Sequence, residues 1–104
     1  MKIAISGLGV MGMYHKKACE RIGYEVVSVF DPTIDGIGGD YSKFLNSLSK
    51  VDAVIISSPT KFHIKSILNV IDANENIKIL CEKPVAVNTD EEDIYRVLKF
   101  RILY

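Results

Sequence analysis

The first dozen residues constrain this chain most. Lys2-Ile3-Ala4-Ile5-Ser6 is a short apolar run, Gly7-Leu8-Gly9-Val10-Met11-Gly12 follows at once, and a helix-like stretch continues from Met13 to Arg21. Strand, glycine turn, helix is the context in which G-x-G-x-x-G signifies dinucleotide binding. Gly7 lets the chain leave the strand in a tight turn, Gly9 presents no Cβ to an approaching pyrophosphate, and Gly12 lets the helix lie close against the strand. The first helical N–H groups, those of Val10, Met11 and Gly12, then face the phosphates at the positive end of the helix dipole. Taken alone, the same residues also fit a glycine-rich turn with no ligand, so the rest of the chain must decide.

Downstream, the chain alternates. Glu25 to Phe30 is β-branched and mostly apolar, a strand that ends at Asp31. From Thr33 to Asp40 the residues are turn formers, with Gly36, Gly38 and Gly39 among them, and the segment reads as a surface loop. Tyr41 to Lys50 reads as a short helix with Phe44, Leu45 and Leu48 on its apolar side and Ser42 as N-cap. Val51 to Ser57 is a nearly unbroken apolar run, as expected of a parallel strand covered on both faces. Residues 61–73 read as a helix with Ile64, Ile67, Leu68 and Ile71 inward, and Ile77 to Cys81 as another strand. Thr89, with Glu92 three residues on, opens a last helix whose period continues through Ile102 to Tyr104. In the first helix, Val10, Met13, Tyr14 and Ala18 supply an apolar subset at helical spacing. Short strands alternating with helices predict an α/β fold, a Rossmann-like doubly wound parallel sheet in three layers with right-handed crossovers.

Composition removes several classes. Thirteen basic and thirteen acidic side chains cancel, which points away from nucleic acid and anionic membranes as partners. The apolar runs are too short to span a bilayer. Cys19 and Cys81 sit in apolar surroundings without C-x-x-C spacing, the pattern of reduced buried thiols in a cytoplasmic protein, and no His/Cys/carboxylate cluster has metal spacing. The N-terminus opens directly into a strand, so no signal peptide is expected.

In an open α/β sheet, ligands bind outside the carboxyl ends of the strands. Those ends carry the glycine turn, then Asp31, then Ser57, Ser58, Pro59 and Thr60 with His63 close behind, then Glu82, Lys83 and Pro84. Asp31 lies nineteen residues after Gly12, where a carboxylate accepts bonds from the adenosine ribose hydroxyls and repels a 2′-phosphate. No arginine follows it, which favours NAD over NADP. Asp31 equally fits a cap on the turn before Pro32. On the residues alone, Lys83 reads as a loop lysine paired with Glu82, and His15 and His63 as packing or capping residues.

These residues together resemble the N-terminal half of the glucose–fructose oxidoreductase, inositol dehydrogenase and rhizopine-catabolism family (Gfo/Idh/MocA). The match rests on the glycine turn with His15 three residues on, Asp31, Asp52 to Thr60 with His63, and Cys81-Glu82-Lys83-Pro84-Val85-Ala86, and covers nearly the whole chain. Glu-Lys-Pro after a strand is its most specific element. The resemblance implies that Lys83 assists proton transfer beside the nicotinamide, for which its ammonium must be partly desolvated. It implies cofactor contacts for Gly7, Gly9, Val10, Met11, Gly12, Asp31, Ser57, Ser58, Pro59, His63, Glu82 and Lys83, and an oxidoreductase acting on CH–OH groups of a sugar, polyol or related small molecule.

Two departures from that pattern set further expectations. The segment from Thr33 to Lys50 is short, so the wall beside the adenine is expected to be open. Residues 1–104 read as a single nucleotide-binding domain with neither a substrate domain nor a sixth strand, which would leave Ile77–Cys81 as a bare edge. A homo-oligomer, or a partner supplying the missing domain, is therefore expected. The alternative is a non-enzymatic nucleotide-binding or interaction module on the same fold.

Overall fold

A computed structural model describes residues 1–34 and 40–82, and the backbone of residues 102–103. The elements run β1 (Lys2–Ser6), α1 (Val10–Arg21), β2 (Glu25–Phe30), α2 (Tyr41–Ser47), β3 (Ala53–Ile56), α3 (His63–Ala73), β4 (Lys78–Cys81) and β5 (Ile102–Leu103). Single 3-10 turns extend α2 over Leu48–Lys50 and lead into α3 over Thr60–Phe62. The strands form one parallel sheet in the order β2-β1-β3-β4-β5. The expected α/β Rossmann-like class is the one observed.

Side-chain alternation along the strands divides the core into two layers. Ala4, Val54, Ile56, Ile79 and Cys81 face α2 and α3, meeting Phe44, Leu48, Ile67 and Val70. Ile3, Ile5 and Ile55 face α1 and pack with Leu8 and Cys19. Each fully buried Ile or Leu among these contributes roughly 1.5–3 kcal/mol through removal from water.

Strand register sets up everything that follows. Ser6 lies opposite Phe30 on one side and Ile56 on the other, and Ile56 lies opposite Cys81. A bulge at Val27 brings β2 into this alignment, because Ile3 pairs with Val26 and Ala4 with Ser28. The next residues out of the four strands are therefore Gly7, Asp31, Ser57 and Glu82, level at one edge. Backbone bonds extend the ladder to three of them: Gly7 N–H to the Phe30 carbonyl (2.7 Å), Ser57 N–H to Ser6 (2.8 Å) and Glu82 N–H to Ile56 (3.0 Å).

Several sequence expectations are corrected. Most of the apolar subset of α1 faces away from the core: Val10 is 88% and Tyr14 64% exposed, Met13 is exposed too, and Ala18 alone of the four is partly buried. Gly12 and Cys19 are its buried residues, seven apart and so on one face, with His15 between them. Close contact at Gly12 decides which face turns inward, and it overrides the hydrophobic pattern. The N-cap of α2 is Asp40, whose carboxylate accepts from the Lys43 N–H, in place of Ser42. The inner face of α3 is as expected, with Ile67 in the core and Ile64, Leu68 and Ile71 partly buried against it, and Val70 joins them. Ile102 and Leu103 form a strand and not a helix, paired with Ile79 and Leu80. The position of the sixth strand is thus occupied, and the edge of β4 is paired at those residues: a helical period is a weak signal where an apolar pair meets an open strand. The expected helix from Thr89 and its capping box lie outside the described residues, as do Gly36, Gly38 and Gly39.

Candidate functional site

A cavity of about 760 Å³ opens over the level strand ends, within the range of small-molecule and cofactor clefts. The ends of all four strands β1 to β4 contribute to its lining, through Gly7 and Gly9, Asp31, Ser57 with Ser58, and Glu82. Val10, Met11, Pro59, Thr60 and His63 line it as well. Thus nearly all the residues singled out in the sequence meet around one space. Gly12 and His15 stand behind it, and Lys83 lies outside the described residues.

The glycines divide the work. Gly7 has φ +97°, and a Cβ there would sit 2.5 Å from the Ser58 nitrogen. A Cβ on Gly12 would sit 1.9 Å from the Gly7 carbonyl oxygen. These two positions hold the turn between α1 and the Ser57–Ser58 peptide. Gly9 is different: a Cβ there would meet nothing within 4 Å. The space beside it is open and lies at the start of α1, which has neither a side-chain cap nor an acidic residue in its first turn. Its first N–H groups therefore remain available to an anion.

Asp31 is buried, and its carboxylate is engaged from two sides. Oδ2 accepts from the Leu8 N–H at 2.7 Å, and Oδ1 from the Thr33 N–H and hydroxyl at 2.8 and 2.6 Å. Burial pushes its pKa up, but the Thr33 hydroxyl and the two N–H donors outweigh that and hold it below the ordinary carboxylate value. Asp31 therefore caps its own turn, ties it to the glycine turn and keeps its negative charge.

His63 is 1% exposed and opens α3; its Nε2 donates to the Ser58 carbonyl at 2.6 Å. That bond holds the loop whose Ser57 and Ser58 hydroxyls are buried at the cavity and have no hydrogen-bond partner among the described residues. Unpaired buried hydroxyls are costly and call for a ligand or water to satisfy them. His15, reaching inward from α1, contacts the Glu82 carboxylate through Nε2 and Oε1. This contact joins α1 to the end of β4 and gives Glu82 a partner other than Lys83.

The structure adds residues that the sequence reading did not assign. Phe30 from β2, Thr33 from the turn after it and Tyr41 from α2 line the cavity, as do Ser66 and Asn69 from α3. With His63, the last two form a polar stripe at three-residue spacing, a signal present in the sequence. Beyond Asp31, where an open wall is expected, α2 packs against β2 and α3 and brings its first residue, Tyr41, to the cavity. The cysteines are buried thiols. Burial first, and then the Glu82 charge, push Cys81 up to about 11, while burial and Glu20 raise Cys19. Among the described residues, no three His, Cys, Asp or Glu are grouped to hold a metal ion, and no helix is long and apolar enough to cross a membrane.

Comparison with known proteins agrees with this geometry. The model of the Gfo/Idh/MocA oxidoreductase family, described as an NAD-binding Rossmann fold, matches residues 1–99. No curated protein sequence matches. Among solved structures, myo-inositol 2-dehydrogenase from Lactobacillus plantarum superposes with a TM-score of 0.80 at 21% identity, over 99% of this chain and 35% of that one. UDP-N-acetylglucosamine 3-dehydrogenase from Acidithiobacillus ferrooxidans gives 0.74 at 23% identity, over 95% of this chain and 34% of that one. The WlbA dehydrogenase from Thermus thermophilus, solved with NAD and UDP-GlcNAcA, gives 0.78 at 23% identity, over 98% and 40%. The chain therefore spans little more than a third of the length of these structures.

Proposed function

The chain belongs to the Gfo/Idh/MocA oxidoreductase family as its NAD-binding Rossmann domain, and we propose that it serves hydride transfer at a CH–OH carbon of a sugar, polyol or related small molecule. One observation carries this reading: the common register of four strands sets Gly7, Asp31, Ser57 and Glu82 around a single cavity. The residues fit a dinucleotide. The open space at Gly9 and the free first turn of α1 suit a pyrophosphate held by the N–H groups of Val10, Met11 and Gly12. The unpaired Ser57 and Ser58 hydroxyls supply further donors, with Pro59 and His63 shaping their loop.

At one end Asp31, held in its charged form, receives the adenosine ribose and repels a 2′-phosphate, which selects NAD over NADP. At the other end stands Glu82, oriented by His15. A bound nicotinamide supplies the hydride donor or acceptor. By its place in the family motif directly after Glu82, Lys83 takes the proton from the substrate hydroxyl in oxidation and gives one to the carbonyl oxygen in reduction. Residues 1–104 act as one nucleotide-binding domain in this reading. The substrate wall comes from further chain, a second copy or a separate partner, closing the cavity beside the exposed Val10 and Phe62. Two buried thiols suit a reducing cytoplasm.

The test is a hydride-transfer screen with polyols, sugars and their keto forms, followed by reduced-nicotinamide absorbance. Turnover that disappears in Lys83→Ala supports the reading. The screen is run with whatever further chain, second copy or partner covers the cavity in place; saturable NADH binding by that assembly with no turnover in any reaction rejects hydride transfer and leaves a nucleotide-binding module.

A further inference from the structure

Tyr41 lies ten residues after Asp31, past the short glycine-containing segment. It is the first residue of α2, and it is only half-buried although it belongs to an aromatic cluster. Its ring lies 4.8 Å from that of Phe30, inclined at 48°, and within 10° of parallel to Phe44 at 6.2 Å. Phe44 is buried and also contacts Phe30, with centroids 5.8 Å apart, so the cluster is anchored in the core. The Tyr41 hydroxyl accepts a hydrogen bond from the Asn69 side-chain amide of α3 at 3.3 Å. The ring is therefore fixed at its plane and at its tip. Tyr41, Phe30, Pro32 and Asn69 all line the same cavity, at its β2 end beside Asp31.

The orientation of a dinucleotide on this edge follows from the proposed function, on which this inference rests. The pyrophosphate sits at the start of α1, the adenosine ribose at Asp31 and the nicotinamide toward Glu82. The base beyond the Asp31 ribose then has Tyr41 and Phe30 as its neighbours. An aromatic face held rigid before binding gains stacking energy at little cost in ordering. We propose that Tyr41, braced by Phe30, Phe44 and Asn69, is the stacking wall for the adenine, built from α2 in place of the elements that the short 33–50 segment lacks. Stacking depends on the π-face and not on a hydrogen-bond pattern, so Tyr41 governs adenylate affinity without touching the reacting end.

Two probes separate the ends of the cavity: ADP-ribose, which carries the base without the nicotinamide, and nicotinamide mononucleotide, which carries the reverse. Calorimetric titration of the protein should show Tyr41→Leu, which keeps apolar bulk in the cluster, weakening ADP-ribose roughly tenfold. Tyr41→Phe should stay within about twofold of wild type, since the aromatic face persists. Nicotinamide mononucleotide should bind all three alike. In wild type, ADP-ribose should also quench part of the tyrosine emission, and Tyr41→Phe should lose that part. If Tyr41→Leu does not fold, the emission experiment decides, and quenching unchanged in Tyr41→Phe overturns the wall. So does a folded Tyr41→Leu that binds ADP-ribose as wild type does, or that loses both probes equally. Wild-type protein that binds neither probe overturns the cofactor reading itself and the wall with it.

Discussion

Replacing Gly12 by alanine adds a single methyl group at the tightest point of the molecule. That carbon would lie 1.9 Å from the Gly7 carbonyl oxygen and 2.8 Å from its carbon, both backbone atoms. Ordinary van der Waals contact begins near 3.4 Å, so the turn and α1 must separate by more than an ångström. Gly7 has little freedom to retreat. Its N–H is bonded to the Phe30 carbonyl at 2.7 Å, and on its other side it lies against the Ser57–Ser58 peptide. Overpacking of this kind costs about 3 kcal/mol, the upper end of its usual range, because no flexible side chain can absorb it. Better helix propensity returns about 1 kcal/mol. The net loss of about 2 kcal/mol lowers the melting temperature by roughly 8–16 °C for a domain of this size. Gly9→Ala is the control: its Cβ meets nothing, and its stability should stay within about 0.5 kcal/mol of wild type. Thermal melts followed by far-ultraviolet circular dichroism measure both. Gly12→Ala melting within about 2 °C of wild type would refute the argument that contact at Gly12 seats α1 on the sheet.

Asp31→Ala removes the acceptor of the Leu8 and Thr33 donors and should cost about 1–3 kcal/mol in chemical denaturation, the penalty for leaving a buried N–H unpaired. The lowered Asp31 pKa means that its charged form stabilises the fold fully above the ordinary carboxyl range. That contribution is lost as pH falls through the lowered value, so acid melts of Asp31→Asn should show a shallower pH dependence than wild type. A profile equally steep in both would contradict this. Cys81, pushed up to about 11, and the buried Cys19 should resist Ellman's reagent in the native protein at mildly alkaline pH and react promptly on unfolding. Rapid native labelling would show that these thiols are accessible.

What was legible in the sequence was what local chemistry decides. β1 and β2 are read to the residue, because short apolar runs bounded by Gly7, Asp31 and Gly23 leave little choice. The convergence of Gly7, Asp31, Ser57 and Glu82 was legible too, since parallel strands joined by helices end at one edge. The orientation of α1 was not, because it depends on contact between Gly12 and Gly7 across the turn, which no periodicity encodes. The Asp40 cap was missed in favour of Ser42, two candidates of similar propensity two residues apart. Tyr41 was legible as a helical residue but not as a wall of the cavity, since that follows from how α2 docks on Phe30 and Asn69. Ile102 and Leu103 carry a helical pattern and pair with β4 instead, an outcome set by the partner strand.

The central claim is that the space beside Gly9 holds the pyrophosphate of a nicotinamide dinucleotide. Fluorescence titration of NADH against wild type and Gly9→Val tests it most directly. The account predicts saturable binding by wild type. Gly9→Val should fold as wild type does and bind at least about tenfold more weakly, the loss expected when one charge-assisted N–H bond to phosphate is broken. Absence of wild-type binding at millimolar NADH, or equal affinity in a folded Gly9→Val, would contradict it.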